Sequence, residues 1–489
     1  AIARHLDDLG VGFIEGGWPG ANPKDAEFFA RAQTELTLKT AQLAAFGSTR
    51  RPNGVVADDL AHLRNSHAPI ATLVAKSDVR HVERALRTTR EENLAMVRDS
   101  VAHLSAEGMR VFQDAEHFFD GWRADPAYAL EVLRVAAEAG ADVLVLCDTN
   151  GGMLPNELTD IVGAVVADGL RVGIHAHNDA ACAVANSLAA IDVGATHVQG
   201  TANGYGERCG NADLFSVIAA LEVKKQRAVL PEGRLQELGR VAHAVAEVAN
   251  ISPDPHQPWV GASAFAHKAG LHVSAIKADP DLYQHTSPAV VGNDIRLLIS
   301  ELAGRATIEL KGRALGLEPD SETVVKVLDR VKELESVGYS FEAAEASFEL
   351  LLREQMGQRP HFFELESWRV IVEHVDAKVV SEATVKLAAG GARIIATAEG
   401  NGPVNALDNA LRQALIELYP ALAAFDLVDY KVRIVSGAHG TDAVTRVLVE
   451  TSDGSTEWST VGVHENVIEA SWQALEEAYT AGLLRQAND

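Results

Sequence analysis

The chain has 489 residues, too many for one ordinary domain, and its composition, 47% hydrophobic and 23% charged, is that of a globular protein. A net charge of −25 argues against a nucleic-acid binder, because a polyanion is held mainly by Lys and Arg, and no apolar run approaches the roughly 20 residues of a membrane span. Nothing at its start reads as a signal peptide, and Cys147, Cys182 and Cys209 fit neither a disulfide framework nor a zinc-finger spacing, so a reducing cytoplasm is expected. With so much negative charge, an anionic substrate needs local positive charge or a metal to hold it.

In chain order, residues 3–9 read as the end of a helix running straight into an apolar run. The sequence opens on Ala1 inside an element, which is the pattern expected of a piece of a longer chain. Apolar runs at 11–15, 42–46, 70–75, 109–114, 142–147, 171–176 and 196–200 alternate with helical patterns, clearest at 79–107, 126–139, 157–166 and 180–193. This is the spacing of repeated βα units with a parallel sheet, shared by the open doubly wound fold and the closed (β/α)8 barrel. The first strand lacks the glycine fingerprint that cradles a dinucleotide phosphate, which disfavours the former. Polar clusters stand just after the strands: Glu15-Gly-Gly-Trp-Pro-Gly20, Gly47-Ser-Thr-Arg-Arg51, Asp114-Ala-Glu116, Asp148-Thr149 and His175-Ala-His177. A barrel keeps its active site on that rim. The expectation is a TIM-type (β/α)8 barrel over 1–230, with seven strands present and the first lying ahead of residue 1.

A mostly helical linker or lid is expected over 231–365, broken by a Pro/His-rich loop at 252–261. From 366 to 489 the pattern changes to α+β. Strand-like runs at 368–375, 382–387 and 394–398 precede a helix over 403–419, and runs at 427–435, 443–450 and 457–463 precede a helix over 466–484. This is a βββα unit written twice, with Ala406, Ala410 and Leu411 matching Ala470, Ala474 and Leu475, and duplication of this kind builds small pseudo-symmetric domains.

His175 and His177 share one face of a strand, and two imidazoles at a strand end suit a divalent metal; the alternative is two histidines bonded to neighbours in a polar mouth. In Asn203-Gly-Tyr-Gly-Glu-Arg-Cys-Gly-Asn211 the glycines permit a close-approach loop, Glu207 and Arg208 are expected to pair, and Asn211 is either an oxygen ligand or a helix N-cap. Glu116 shares a face with Asp114 and is a candidate base, against a solvated rim carboxylate. Thr149 offers a hydroxyl to a carboxylate, against an ordinary turn. His267, Lys268, His272 and Tyr283 cluster within a short span as further acid–base candidates or as structural residues.

Together His175-Ala-His-Asn-Asp179, the 203–211 loop and Ala264-Phe-Ala-His-Lys-Ala-Gly-Leu-His272 resemble the DRE-TIM metallolyases, in their Claisen-condensing branch of isopropylmalate, homocitrate and citramalate synthases. Glu15-Gly-Gly-Trp-Pro-Gly-Ala-Asn-Pro-Lys-Asp25, Phe46-Gly-Ser-Thr-Arg-Arg51, Asp114-Ala-Glu-His-Phe-Phe-Asp-Gly121, Leu146-Cys-Asp-Thr-Asn-Gly-Gly152 and the tail from Ser459 to Trp472 are most similar to the citramalate synthases. The resemblance implies a metal (Mg²⁺, Mn²⁺ or Zn²⁺) on His175 and His177 with Asn211 nearby, and Glu116 as base. It implies that Thr149, with Asp114, binds the 2-oxo acid, and that His272 and Tyr283 reach a pocket from the linker, that of a partner subunit in a homodimer. Pyruvate and acetyl-CoA are the implied substrates, and isoleucine the implied effector of the tail domain. The Asp-Arg-Glu-like motif of the family's first strand has no counterpart here, so weak metal binding and little activity are expected of residues 1–489 alone. Lys76-Ser-Asp-Val-Arg-His-Val82 lacks an expected aromatic near Ser77. The remaining alternatives are an isopropylmalate or homocitrate synthase, an acyl-CoA lyase of the same superfamily, or an inactive scaffold.

Overall fold

The computed structural model describes residues 1–267, 270–297, 304–376, 378–435 and 443–488. They form two compact units, 1–265 with 286–294, and 266–285 with 295–489.

The first unit is built on a parallel sheet whose strands, β1 (Phe13–Glu15), β2 (Gln42–Ser48), β3 (Ile70–Lys76), β4 (Arg110–Glu116), β5 (Val143–Asp148), β6 (Val172–Ala176) and β7 (His197–Gln199), are neighbours in chain order. A doubly wound sheet reverses its order at a switch point; this one does not, and its curl is read from side chains. Phe13 on β1, Phe112 on β4 and His197 on β7 meet in the interior, with ring centroids 5.1, 4.9 and 5.6 Å apart. Strands at the two edges and the middle can share one contact only if the sheet is rolled. Two residues further along each strand, on the same face, stand Glu15, Asp114 and Gln199, so the interior changes from an aromatic layer to a polar one towards the strands' C-terminal ends.

The sequence signals for the elements are local. β5, Val-Leu-Val-Leu-Cys-Asp, is buried along its whole length, as a strand covered on both faces must be. Helix Pro126–Glu138 starts with Asp125 accepting the Tyr128 N–H and with proline in its first turn. The helical pattern expected over 79–107 is two pieces: a π-type turn at His81–Ala85 and a helix at Arg90–Ala106, parted by Arg87 in the left-handed region (φ 52°) and by Thr89, which caps the second piece. A threonine oxygen accepting the Glu92 N–H is a start signal, and it outweighs continuous amphipathicity.

Of the helical stretch expected over 231–365, helix Leu238–Ala249 falls in the first unit and helices Gly270–Ala278, Arg305–Ala314, Ser321–Ser336 and Glu345–Gln355 in the second, which also holds a two-residue parallel pairing of β8 (Ala266–His267) with β9 (Arg296–Leu297) that hydrophobic pattern did not signal. The duplicated βββα unit is there. β10 (Phe363–Val375), β11 (Lys378–Ala389) and β12 (Ala392–Gly400) form one antiparallel sheet, followed by helix Pro403–Leu415. β13 (Asp426–Ile434), β14 (Thr445–Ser452) and β15 (Glu457–His464) form the other, followed by helix Val467–Asn488. The matched residues Ala406, Ala410, Leu411, Ala470, Ala474 and Leu475 lie together in one core. The second copy is clamped to the preceding helices. Ser347 Oγ accepts the Val461 N–H at 2.9 Å and donates to Glu477, and Gln473 Oε1 accepts from both Tyr339 O–H (3.1 Å) and Val463 N–H (3.0 Å). Among the described residues no helix is long and apolar enough to cross a membrane.

Candidate active site

Parallel register sets the polar layer. Cys147 on β5 is level with His175 on β6, and His175 with Gln199 on β7. Gln199 spans the interior: its Nε2 donates to Asp114 Oδ1 at 2.9 Å and its Oε1 lies 2.7 Å from His175 Nδ1. His175 Nε2 is 3.0 Å from Asn211 Oδ1. The rings of His175 and His177 lie 5.2 Å apart and nearly parallel. His175, His177 and Asn211, expected to gather, do so.

Asn211 arrives there because the loop after β7 turns back on β6. His177 and Asn211 form an isolated antiparallel bridge, Asn178 N–H donates to Gly210 O at 3.0 Å and Ala212 N–H to Ala176 O at 2.9 Å. The loop needs its glycines: a Cβ at Gly206 would fall 2.0 Å from Asn211 Nδ2, and one at Gly210 would fall 2.0 Å from the Gly204 carbonyl. The helix that follows is capped by Asp213, which accepts the Phe215 N–H, so the N-cap alternative for Asn211 is excluded. Arg208 bonds chiefly to Asp179, at 2.8 and 3.0 Å, and donates to the Thr149 carbonyl; Glu207 is 3.7 Å away and secondary.

Burial pushes the Asp114 carboxyl up to about 7, Gln199 opposing and Glu116 reinforcing the shift. Glu15 keeps accessible surface but sits in the crowded concave mouth; that crowding first, then the charge of Asp114, raises its carboxyl. His177 is held below the usual imidazole range by burial, then by His175 and Arg208, and its Nδ1 is buried with no hydrogen-bond partner. Cys147 is buried, its thiol donates to the Val145 carbonyl, and burial then neighbouring carboxylates hold it well above the ordinary thiol range. Asp114, Cys147 and His175 bring three potential ligand atoms within 4.8 Å of one another.

Glu116 ends β4 and is held on three sides. Lys76 pairs with its carboxylate, and Ser77 donates both its hydroxyl (2.8 Å) and its N–H (3.2 Å) to the Glu116 carbonyl. The next N–H, of His117, donates to Thr149 Oγ1 at 2.8 Å, and His117 stacks on His81 at 3.8 Å. Thr149 follows Asp148, whose carboxylate accepts the Gly152 and Met153 N–H groups and so fixes the turn. Glu116 and Thr149 are thereby joined at one corner of the mouth. His272 and Tyr283 stack on each other at 4.2 Å, in the second unit; Lys268 lies outside the described residues. Sequence reading placed Glu15 in a rim cluster without giving it a role, and did not single out Gln199 or Lys76 as site residues. The period-2 alternation that aligns 15, 114 and 199 on one face was the available signal.

The family described as HMGL-like matches residues 1–245. A homocitrate synthase post-HMGL domain-like family matches 259–338, and the LeuA allosteric (dimerisation) domain matches 342–483. An (R)-citramalate synthase of Streptomyces coelicolor is 65% identical over 99% of this chain and 92% of its own length. Another of Synechocystis is 48% identical over 99% and 91%. A 2-isopropylmalate synthase of Solidesulfovibrio magneticus is 30% identical over 96% and 89%. With barrel, linker and tail domain all matched in order, this chain belongs to the HMGL-like enzymes, and among them to the citramalate synthases.

Proposed function

We propose that this protein is an (R)-citramalate synthase, an acyltransferase that condenses pyruvate with the acetyl group of acetyl-CoA and hydrolyses the thioester, in the cytoplasmic route to isoleucine. The observation that carries the reading is the 65% identity to a named citramalate synthase along 99% of the chain. The mouth supports it chemically.

The residues fit a divalent ion. Gln199 accepts at His175 Nδ1, which leaves Nε2 as a lone pair facing the Asn211 oxygen at 3.0 Å. Two acceptors on one ion at about 2.1 Å and at right angles stand about 3 Å apart. His177, neutral and with an orphaned ring nitrogen, completes the set. We assign His175, His177 and Asn211 rather than the Asp114–Cys147–His175 grouping, since a buried protonated thiol and a carboxylate engaged by Gln199 make poorer ligands. A divalent ion there would polarise the keto group of pyruvate and balance the alkoxide formed on condensation.

Glu116 acts as the base that takes a proton from the acetyl methyl group, with Lys76 holding its carboxylate in place. Thr149, its oxygen accepting from His117, keeps its hydroxyl proton for the pyruvate carboxylate, and Asp114 lines the substrate side. His272 and Tyr283 supply acid–base groups from the linker of a partner subunit, in a homodimer held through the tail domain. The test is a free-thiol assay of CoA release with pyruvate, 2-oxoisovalerate and 2-oxoglutarate. Pyruvate is expected to be fastest; a faster rate with either other acid assigns an isopropylmalate or homocitrate synthase instead.

A further inference from the structure

Among the described residues Gln199 is the one side chain that hydrogen-bonds both a buried carboxylate and a ligand-type histidine in this mouth. A carboxylate oxygen only accepts, so Asp114 Oδ1 takes the amide NH2 of Gln199 at 2.9 Å. That choice turns the amide oxygen towards His175 Nδ1, 2.7 Å away. An amide oxygen likewise only accepts, so Nδ1 must carry the proton. On the other side of the ring the Asn211 amide is also fixed: its NH2 donates to the Tyr205 carbonyl at 3.3 Å, which leaves Oδ1, again only an acceptor, 3.0 Å from His175 Nε2, where it either accepts a ring proton or shares a cation with the bare nitrogen. The chain of donors and acceptors from Asp114 through Gln199 to His175 thus has one consistent direction.

We propose that Gln199 is a positioning residue that keeps a proton on His175 Nδ1, so that Nε2, beside the Asn211 oxygen, is the ring nitrogen left for a cation to bind. It acts through His175 and touches no substrate. A histidine ligand whose far nitrogen is tied to an oxygen keeps its orientation and its basicity, and losing such a partner weakens metal binding roughly 10- to 100-fold. A tautomer free to place the proton on Nε2 could instead donate to Asn211 and close the site to a cation.

The proposal rests on the metal reading above for its consequence but not for the tautomer itself, so two measurements separate them. In metal-free protein labelled with ¹⁵N-histidine, the His175 ring is expected to show its proton on Nδ1, and in Q199M to shift towards Nε2–H. His175 is assigned by the signals lost in H175N. By calorimetry, Q199M is expected to bind Mn²⁺ roughly 10- to 100-fold more weakly than the parent. Q199E, whose carboxylate still accepts from Nδ1–H, is expected to recover most of the affinity, which repair of mere packing would not explain. A parent with Nε2–H on His175, or a Q199M protein that binds Mn²⁺ like the parent, overturns the proposal while leaving the metal site standing. A parent that binds no Mn²⁺ overturns the metal reading and the consequence drawn from it here, while the proton's place on His175 stands or falls by the ¹⁵N signals.

Discussion

His197 sits in the aromatic layer beneath the polar one, beside Phe13 and Phe112 and near Arg110, Arg171 and Asp142. Burial first, then the two arginines, lower its imidazole to about 4 from an ordinary 6.5. Between those values the unfolded chain binds a proton that the folded one refuses, so this group lowers stability as the pH falls from 6.5 to 4. The loss approaches about 3 kcal/mol below pH 4. Asp114 works in the opposite sense: its raised carboxyl keeps a proton that the unfolded chain releases, so its contribution falls as the pH rises from 3.8 to about 7. H197F, which keeps an aromatic ring against Phe13 and Phe112, isolates the first effect. The difference in unfolding free energy between H197F and the parent is expected to grow as pH falls from 6.5 to 4, measured by urea titration at each pH. A difference constant with pH would mean that His197 takes its proton over the same pH range in the fold as in the unfolded chain.

At the scale of elements, the loop 203–211 is the part on which the site depends most closely, because it carries Asn211 to His175 and has no room to spare. A methyl group at position 206 must push the Asn211 amide from its place 2.0 Å away. G206A is expected to leave the parallel sheet intact by circular dichroism and to weaken Mn²⁺ binding at least about tenfold, as loss of a ligand's support does. Unchanged affinity would remove Asn211 from the ligand set. This loop also marks what could be read in advance and what could not. The strands β1 to β7 follow from apolar runs of strand length, and the signal is clearest where burial on both faces makes the run continuous, as in Val143–Asp148. His175 and His177 were found by the same alternation that orders a strand. Gln199 was not, because a glutamine near a strand end is unremarkable until Asp114, 85 positions earlier, is seen at 2.9 Å. The break in the helical pattern between Ala85 and Arg90 was hidden for a different reason: an unbroken amphipathic pattern outvoted the capping threonine.

At the scale of the molecule, the barrel that holds the candidate site at its mouth is joined in one chain to a duplicated domain to which none of the proposed site residues belongs. Such a domain can regulate only if it binds its effector differently in two states. We expect isoleucine to raise the melting temperature of the full chain in a concentration-dependent way and to inhibit CoA release over the same range. Inhibition that rising pyruvate overcomes would place the effect in the barrel mouth as competition. The two βββα copies share one pattern, yet the second is fastened through Val461, Gln473 and Glu477 to Ser347 and Tyr339 on the helical arm. A fastened leaf and the plate it is screwed to share one swing. β15 cannot shift without either breaking the Val461–Ser347 bond or carrying Ser347 with it, so the duplicated domain, alike in the pattern of its two copies, has one end tied to the arm.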